Sequence, residues 1–155
     1  MFRSLPFSEP NPLAEEIEGA PYGATKTYPN LFSPEDIANE LILARQWGIR
    51  AVEVTEDAGA ETARRLVDEF AGKDCLYVVL PDGRMFIIPS EVVGGTTTHT
   101  MAANGADVIA AGHVLFGPTG KVRRWDHMSG HYRPDERQAR EVAEAIFTLA
   151  GLRGT

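Results

Sequence analysis

The sequence predicts an α+β fold, in which N-terminal helices are followed by an antiparallel sheet of two or more hairpins and a C-terminal helix. Three observations predict it: apolar residues at helical spacing between positions 33 and 71, strand-like runs of branched and aromatic residues from Cys75 onward, and helical spacing again after Pro134. With 155 residues, 43% of them hydrophobic, the chain is long enough to bury one core. We therefore expect a single α+β domain over residues 33–155, preceded by an irregular N-terminal arm over residues 1–32.

The first half of the domain is predicted to form two helices and a short strand. Ser33 supplies a hydroxyl N-cap and Pro34 occupies the first helical position, and Gly48 ends the helix. Positions 49–54 form a short strand, and positions 60–71 form a second helix. The first helix is expected to bury an apolar face made of Ile37, Leu41, Leu43, Ala44 and Trp47.

The second half is predicted to form a sheet of hairpins. The runs LYVVL and RMFII flank a turn at 81–83 and form the first hairpin. Asn104-Gly105 is the strongest short hairpin signal in the chain, so positions 99–103 and 108–116 are expected to pair as strands around it. A turn at 117–120 leads into a strand at 121–126, and Pro134 begins the last helix. That helix is expected to bury Ala139, Val142, Ala143, Ile146 and Leu149.

Composition limits the classes of function. No run of 18 apolar residues occurs, and the N-terminus lacks the basic and then apolar order of a signal peptide. We therefore expect a protein of the cytoplasm, or one delivered to a target-cell cytoplasm, with no membrane partner. The single cysteine, Cys75, begins an apolar run and is expected to be a buried, inert thiol.

Charge is unevenly distributed along the chain. The net charge is −7, and residues 1–76 hold 14 acidic and 7 basic residues, whereas residues 77–155 hold 8 of each. So acidic a chain is not expected to bind duplex nucleic acid. Between positions 113 and 140, however, six basic residues face three acidic ones, which would attract a small phosphate-bearing or acidic ligand or would form a solvated surface. These basic residues are Lys121, Arg123, Arg124, Arg133, Arg137 and Arg140.

Familiar catalytic motifs are absent from the sequence. There is no HExxH, no paired CxxC and no GxSxG, and the GPTGK run at 117–121 lacks the first glycine and the final Ser or Thr of a phosphate loop. No cofactor is therefore expected. What remains are four histidines, all in the C-terminal half, and imidazole supplies acid or base near neutral pH. They are His99, His113, His127 and His131.

The predicted hairpins place some of these histidines on one face of the sheet. A two-residue turn at Asn104-Gly105 puts His99 opposite Ala110, and a four-residue turn at 117–120 puts Ala110 opposite His127. His113 is then expected on the opposite face.

The same register puts Gly112 opposite Trp125. Small residues at 110 and 112 leave a shallow floor between the histidine pair and the indole. Small residues within a strand mark the close approach of a ligand or of another backbone, so both alternatives stay open here.

The run SGHYRP at 129–134 is the other dense cluster of reactive side chains. Ser129, His131, Tyr132 and Arg133 bring a hydroxyl, an imidazole, a phenol and a guanidinium to the start of the last helix, and helix N-termini attract anions. The alternative is that Ser129 and Gly130 form the turn into the helix while the two rings satisfy buried polar groups.

The order of these elements resembles a known family. From Cys75 to about Leu149, an aromatic hairpin, His99 beside a hydroxyl, an Asn-Gly turn, Ala-Ala-Gly at 110–112 and SGHYRP are similar to the SGHYRP-type domain. That domain occurs in the C-terminal regions of bacterial polymorphic toxins and in plant IQ-motif calmodulin-binding proteins. Residues 36–54 also resemble the helix and strand that precede the domain in the toxins.

The resemblance implies which residues matter. The positions that match its motif are His99, Gly112, Ser129, His131 and Tyr132, whereas His113 and His127 depart from it. No IQ motif is present, so calmodulin binding is not implied. The plant proteins imply that the domain need not be toxic.

The first functional hypothesis is a toxin-like effector with a histidine-based site. His99 and His131 would act as general base and acid in a metal-independent, ribonuclease-like attack on a phosphoester, with Ser129 or Tyr132 orienting an imidazole. The expected ligand-binding residues are Arg133, Arg124, Gly112 and Trp125.

The second hypothesis is a non-catalytic binding, immunity or regulatory domain. It would hold a peptide, a nucleotide or a cognate toxin or immunity partner in the same region. A third alternative is a metal site, which needs His99, His127 and His131 to converge.

Overall fold

The computed structural model of the protein describes residues 25–54, 59–70 and 72–152. Its helices are α1 (Pro34–Gln46), α2 (Gly59–Phe70), α3 (His99–Ala103) and α4 (Glu136–Leu149). Its strands are β1 (Val52–Val54), β2 (Asp74–Val79), β3 (Met85–Pro89), β4 (Glu91–Val92), β5 (Gly95–Thr96), β6 (Ala110–Phe116) and β7 (Val122–Trp125). The fold is α+β, as the sequence predicts.

Five of the strands form one antiparallel sheet in the order β1-β3-β2-β6-β7. The first predicted hairpin is confirmed, because β2 and β3 pair with Val79 opposite Met85 around a turn in which Gly83 has φ +90°. β1, which lies between α1 and α2 in the sequence, is an edge strand of the sheet and pairs with β3. β4 and β5 form a separate two-stranded ribbon.

Residues 99–103 form the helix α3, so the predicted strand is wrong. Thr98 precedes the helix in an extended conformation, and Asn104 ends it in the left-handed region at φ +54°. Asn-Gly suits the left-handed backbone of a helix C-terminus as well as that of a tight hairpin, which explains the error. β6 pairs with β2 instead, and the expected pairing of His99 with Ala110 does not form.

The sheet separates two apolar clusters, and we call the side covered by α2 and α4 the α4 face. There Phe70 of α2 and Ile146 of α4 pack with strand residues such as Ile87. The predicted stripe of α4 is buried except for Leu149, which is exposed, and Phe147 is buried in its place. The α4 face therefore holds the larger part of the core.

The opposite side, which we call the α3 face, is covered by α1, α3 and residues 25–32. Met101 of α3 packs with Leu76 of the sheet. α1 has no buried residue, and Leu43, expected in its buried face, is exposed. Residues 25–32 are irregular and form one β-bridge, between Tyr28 and Val108, and residues 1–24 of the predicted arm lie outside the described residues.

Two expectations from composition can be compared with the structure. Cys75 is buried, and burial raises the pKa of its thiol to about 12, as an inert thiol requires. Within the described ranges, every helix is too short or too polar to cross a membrane.

Candidate functional site

All four histidines line one open cavity of about 500 Å³ on the α3 face. His99 comes from α3, His113 from β6, and His127 and His131 from the loop between β7 and α4. Neighbouring residues of that loop, including Arg133, complete the wall. We call this space the histidine cavity.

The register of β7 determines what lies beside His113. The turn between β6 and β7 is one residue longer than predicted and a bulge after Leu115 adds another, so the register moves by two residues. Trp125 therefore does not face Gly112, and Asp126 lies beside His113, with its backbone N–H donating to the His113 carbonyl at 3.0 Å.

His113 and Asp126 form an imidazole–carboxylate pair. Asp126 Oδ1 accepts hydrogen bonds from the backbone N–H of His113 at 2.8 Å, from that of Met128 at 2.9 Å and from Nδ1 of the His113 ring at 3.0 Å. Burial alone would raise the pKa of Asp126, but these hydrogen bonds outweigh it and hold the pKa below its ordinary value. The ionised carboxylate fixes Nδ1 of His113 as a donor, and the His113 side chain is 47% exposed.

Gly112 lies against a backbone, which decides between the two alternatives that its sequence position left open. A Cβ atom at this position would collide with the carbonyl oxygen of Asp126. The same carbonyl accepts a hydrogen bond from the hydroxyl of Tyr77 at 2.7 Å, and Tyr77 belongs to the core of the α4 face. The absence of a side chain at Gly112 thus allows Asp126 to be held where it meets His113.

His131 forms a second imidazole–carboxylate pair, with Glu40 of α1. Nε2 of His131 donates to Glu40 Oε2 at 2.9 Å, and Glu40 Oε1 accepts from the hydroxyl of Thr98 at 2.7 Å. The ring of His131 also stacks on Phe32, with centroids 3.8 Å apart and planes 13° from parallel. α1 has no buried residue, yet it supplies the carboxylate that orients His131.

His99 lies between these two pairs and is buried. Its Nε2 donates to the carbonyl of Gly112 at 2.8 Å, and its ring meets that of His113 edge-on at 5.8 Å. Burial lowers the pKa of His99 to about 4, although the hydrogen bond to Gly112 opposes the shift. His99 is therefore neutral near pH 7. The prediction that His99 and His113 lie on opposite faces is wrong, because residues 99–103 are helical.

Ser129 and His127 also line the histidine cavity, and each carries an unsatisfied polar atom. Ser129 Oγ and His127 Nδ1 are buried without a hydrogen-bond partner among the described residues. The carbonyl of Ser129 accepts from the backbone N–H of Arg133 at 2.8 Å. Arg133 itself has φ +48°, in the left-handed region. Glycine, which has no Cβ atom, adopts this conformation without strain, whereas arginine does not.

Two predicted site residues lie elsewhere in the core. Tyr132 is buried in the α3-face cluster, its hydroxyl donates to the carbonyl of Ala106 at 2.6 Å, and burial raises its pKa to about 12. Trp125 packs edge-on against Phe147, with ring centroids 5.7 Å apart, at the border of the α4-face core. Both rings contribute to packing, and neither lines the histidine cavity.

The predicted anion-binding groups are separated as well. Arg124 is exposed on β7 and lies 3.8 Å from Asp74, outside the histidine cavity, whereas Arg133 lines it. The N-terminus of α4 is capped by Asp135, whose carboxylate accepts from the backbone N–H of Gln138 at 3.0 Å. The cap occupies one N–H group of that helix terminus, and the negative charges of Asp135 and of Glu136 in the first turn disfavour an anion there.

Sequence reasoning missed Glu40 and Asp126 and gave little weight to His113. Asp126 lies 13 positions after His113, across a predicted hairpin, and this spacing could have indicated the pair. The predicted register put Arg124 opposite His113 instead. Glu40 and His131 are 91 positions apart, and no sequence pattern connects them.

The described residues do not form a metal site of the expected kind. Over residues 25–54, 59–70 and 72–152, no group of three or more His, Cys, Asp or Glu side chains is arranged to hold a metal ion. His99, His127 and His131 share the cavity wall without converging as ligands.

No family model matches this chain, and neither a curated protein nor a solved structure matches it. Function is therefore inferred from the side chains of the histidine cavity and from their hydrogen bonds.

Proposed function

We propose that the histidine cavity catalyses metal-independent cleavage of a phosphoester, as expected of a toxin-like effector domain. One observation carries the proposal: a single open cavity is lined by two imidazoles, His113 and His131, each oriented by its own carboxylate. General acid–base catalysis needs two such groups, one to accept a proton and one to donate it.

His113 is assigned the role of general base. Asp126 accepts from Nδ1, which leaves Nε2 as the nitrogen that takes the proton of the attacking hydroxyl group. The attacking oxygen forms a bond to phosphorus while the bond from phosphorus to the leaving oxygen breaks. Such positioning of an imidazole by a carboxylate is a recurrent arrangement in acyl and phosphoryl transfer.

His131 is assigned the role of general acid. Glu40 accepts from Nε2 of His131, so Nδ1 delivers the proton to the leaving oxygen. Arg133 supplies the cation that binds the phosphate oxygens, since it is the arginine among the residues that line the cavity. His99 is neutral and buried, so it positions Gly112 and His113 and does not carry the proton, which differs from the role expected from the sequence.

The test uses a short single-stranded RNA oligonucleotide incubated with the purified protein in the presence of a chelator. His113→Gln and His131→Gln should each lower kcat by about 100-fold or more, because each removes one proton-transfer group. Arg133→Gln should raise KM, and Arg124→Gln, an exposed arginine outside the cavity, is the matched control and should behave as the wild type.

Melting temperatures within a few degrees of the wild type are required for all four variants. Wild-type protein that leaves the oligonucleotide intact, or His113 and His131 variants that cleave at the wild-type rate, would contradict the proposal. Expression in a bacterial cytoplasm gives a second readout, since the wild type should arrest growth and the two histidine variants should not.

A non-catalytic binding domain is the second candidate, and a specific observation favours it. Ser129 Oγ and His127 Nδ1 are buried polar atoms that have no hydrogen-bond partner within residues 25–54, 59–70 and 72–152, and a bound ligand or partner protein would satisfy them. Saturable binding to the histidine cavity with no turnover by the wild-type protein would support this candidate.

A further inference from the structure

We propose that the ligand of the histidine cavity carries a nucleobase that stacks on Phe32, so that the cavity takes a nucleotide or the end of a short single strand. This inference rests on the proposed function, from which it takes the phosphate group of the ligand. It adds the base, which is the part of the substrate that gives specificity. Phe32 has no role in the proton transfers assigned above.

Phe32 borders the histidine cavity through His131 and remains partly exposed. Its ring stacks on that of His131 with centroids 3.8 Å apart, and the residue as a whole is 40% exposed. Phe32 is not itself a lining residue, so a base stacked on it would lie beside the cavity. When no ligand is bound, water contacts the exposed part of this apolar ring, which is unfavourable. Stacking of bases on such rings is the common way in which proteins hold unpaired nucleotides. A base stacked on Phe32 would place its phosphate near the imidazole beneath.

Phe32 is held in place by hydrogen bonds and is not a loose surface residue. Its backbone N–H donates to Asn30 Oδ1 at 2.9 Å, and the Asn30 amide donates to Thr100 Oγ1 at 2.7 Å. The backbone N–H of Leu31 donates to the carbonyl of His131 at 2.7 Å. A platform that is already ordered loses little conformational entropy when a ligand binds.

Two further apolar residues of this region are exposed. Leu31, which precedes Phe32 in the sequence, is 55% exposed, and Met128, which lines the histidine cavity with its backbone fixed to Asp126, is 57% exposed. The cavity volume of about 500 Å³ lies in the range of roughly 300–1,000 Å³ that small-ligand sites occupy. The site therefore joins an apolar, aromatic rim to a polar floor, which matches a base attached to a phosphate.

Charge limits the length of the ligand. Arg133 is a cation of the cavity wall, but the chain as a whole has a net charge of −7. A long polyanion would be repelled by that charge, whereas one or a few phosphates next to Arg133 would not.

The experiment compares equilibrium binding of adenosine 5′-monophosphate and of ribose 5-phosphate by calorimetry. The wild type should bind the nucleotide about 10-fold more tightly than the sugar phosphate, because only the nucleotide has a base to stack. Phe32→Leu should lose this difference while binding ribose 5-phosphate as the wild type does, and Phe32→Tyr should keep it. Leu149→Ala, an exposed apolar residue on α4, is the matched control.

Equal affinity of the wild type for the two ligands, or binding of neither, would overturn the stacking proposal. The same holds if Phe32→Leu and Phe32→Tyr discriminate equally. Because binding is measured without turnover, base discrimination without RNA cleavage supports the stacking proposal and contradicts the catalytic one. RNA cleavage without base discrimination supports the catalytic proposal and contradicts the stacking proposal.

Discussion

The two faces of the sheet are built from different kinds of side chain. On the α4 face, two helices bury branched and aromatic residues such as Ile146 and Phe147. Of the five buried polar residues in the described part of the chain, four lie on the α3 face, and the covering helix α1 buries none of its own side chains. These four residues are Thr97, His99, Thr100 and Ser129.

The α4 face is held almost entirely by apolar burial, whereas the α3 face adds buried hydrogen bonds to a smaller apolar cluster. Apolar burial is non-directional and tolerates small rearrangements, whereas buried hydrogen bonds require particular partners. Glu40 of α1, for example, joins the α3 face through His131 and Thr98. The α4 face holds the larger part of the core and stabilises the sheet. The α3 face can therefore carry the polar side chains of the histidine cavity.

The largest effect is expected from removing an aromatic ring on the α4 face. Phe147 is fully buried and contacts Tyr77, Phe116 and Trp125, so Phe147→Ala should lower the free energy of unfolding by about 3–5 kcal/mol. Urea denaturation measures this loss. Phe32→Ala, on the exposed rim of the α3 face, should cost less than about 1 kcal/mol. Equal losses for the two variants would break the distinction between the faces.

A smaller effect, dependent on pH, is expected on the α3 face. The pKa of His99 is lowered to about 4, first by burial and further by the charges of His113 and His131, with Gly112 and Asp126 opposing. Between pH 4 and the ordinary value of 6.5, the unfolded chain binds more protons than the folded protein. The free energy of unfolding should therefore fall as pH falls through this window, by on the order of 3 kcal/mol.

Urea denaturation of the wild type and of His99→Gln across that pH window measures the contribution of His99. The variant should be less stable near neutral pH, because it leaves the Gly112 carbonyl less well satisfied, and its stability should change less with pH. A variant whose stability falls as steeply as that of the wild type would show that His99 is not the group responsible.

The smallest effect is expected at Arg133 and has the opposite sign. Arg133→Gly relieves a left-handed backbone conformation, so it should raise the free energy of unfolding by about 0.5–1 kcal/mol while weakening the binding of adenosine 5′-monophosphate. Asn104→Gly is the control, because asparagine tolerates the left-handed conformation that Asn104 adopts at φ +54°. A loss of stability in Arg133→Gly would indicate that packing of the arginine side chain outweighs any strain in the backbone at this position.

Much of the α4 face was predictable from the sequence. Two runs of branched and aromatic residues around a turn predicted β2 and β3, and the spacing of Val142, Ala143 and Ile146 predicted the buried side of α4. One local feature of the α3 face was predictable too, because Ser33 was predicted as the N-cap of α1 and does accept a hydrogen bond from the backbone N–H of Asp36 at 3.1 Å. These features depend on local spacing, which a single sequence carries.

Much of the α3 face was not predictable, because it depends on contacts that are distant or ambiguous in sequence. The helix at 99–103 is too short to show a helical period, and Asn104-Gly105 fits both a hairpin and a helix end. The bulge after Leu115 has no sequence signal, yet it decides which residue lies beside His113. Ser129, His131 and Arg133, which their chemistry singled out in the sequence, do line the histidine cavity, but the carboxylate and aromatic neighbours of His131 were not predicted.

Asp126 connects the two faces of the sheet, so the surroundings of His113 cannot be altered independently of the core at this point. Its carbonyl lies against Gly112 and accepts from the Tyr77 hydroxyl of the core, while its carboxylate meets His113. The side chains of Leu31 and Met128 take no part in that arrangement and can be exchanged without altering it. A side chain at Gly112, or loss of the Tyr77 hydroxyl, would instead move the backbone of Asp126 and with it the carboxylate that orients His113.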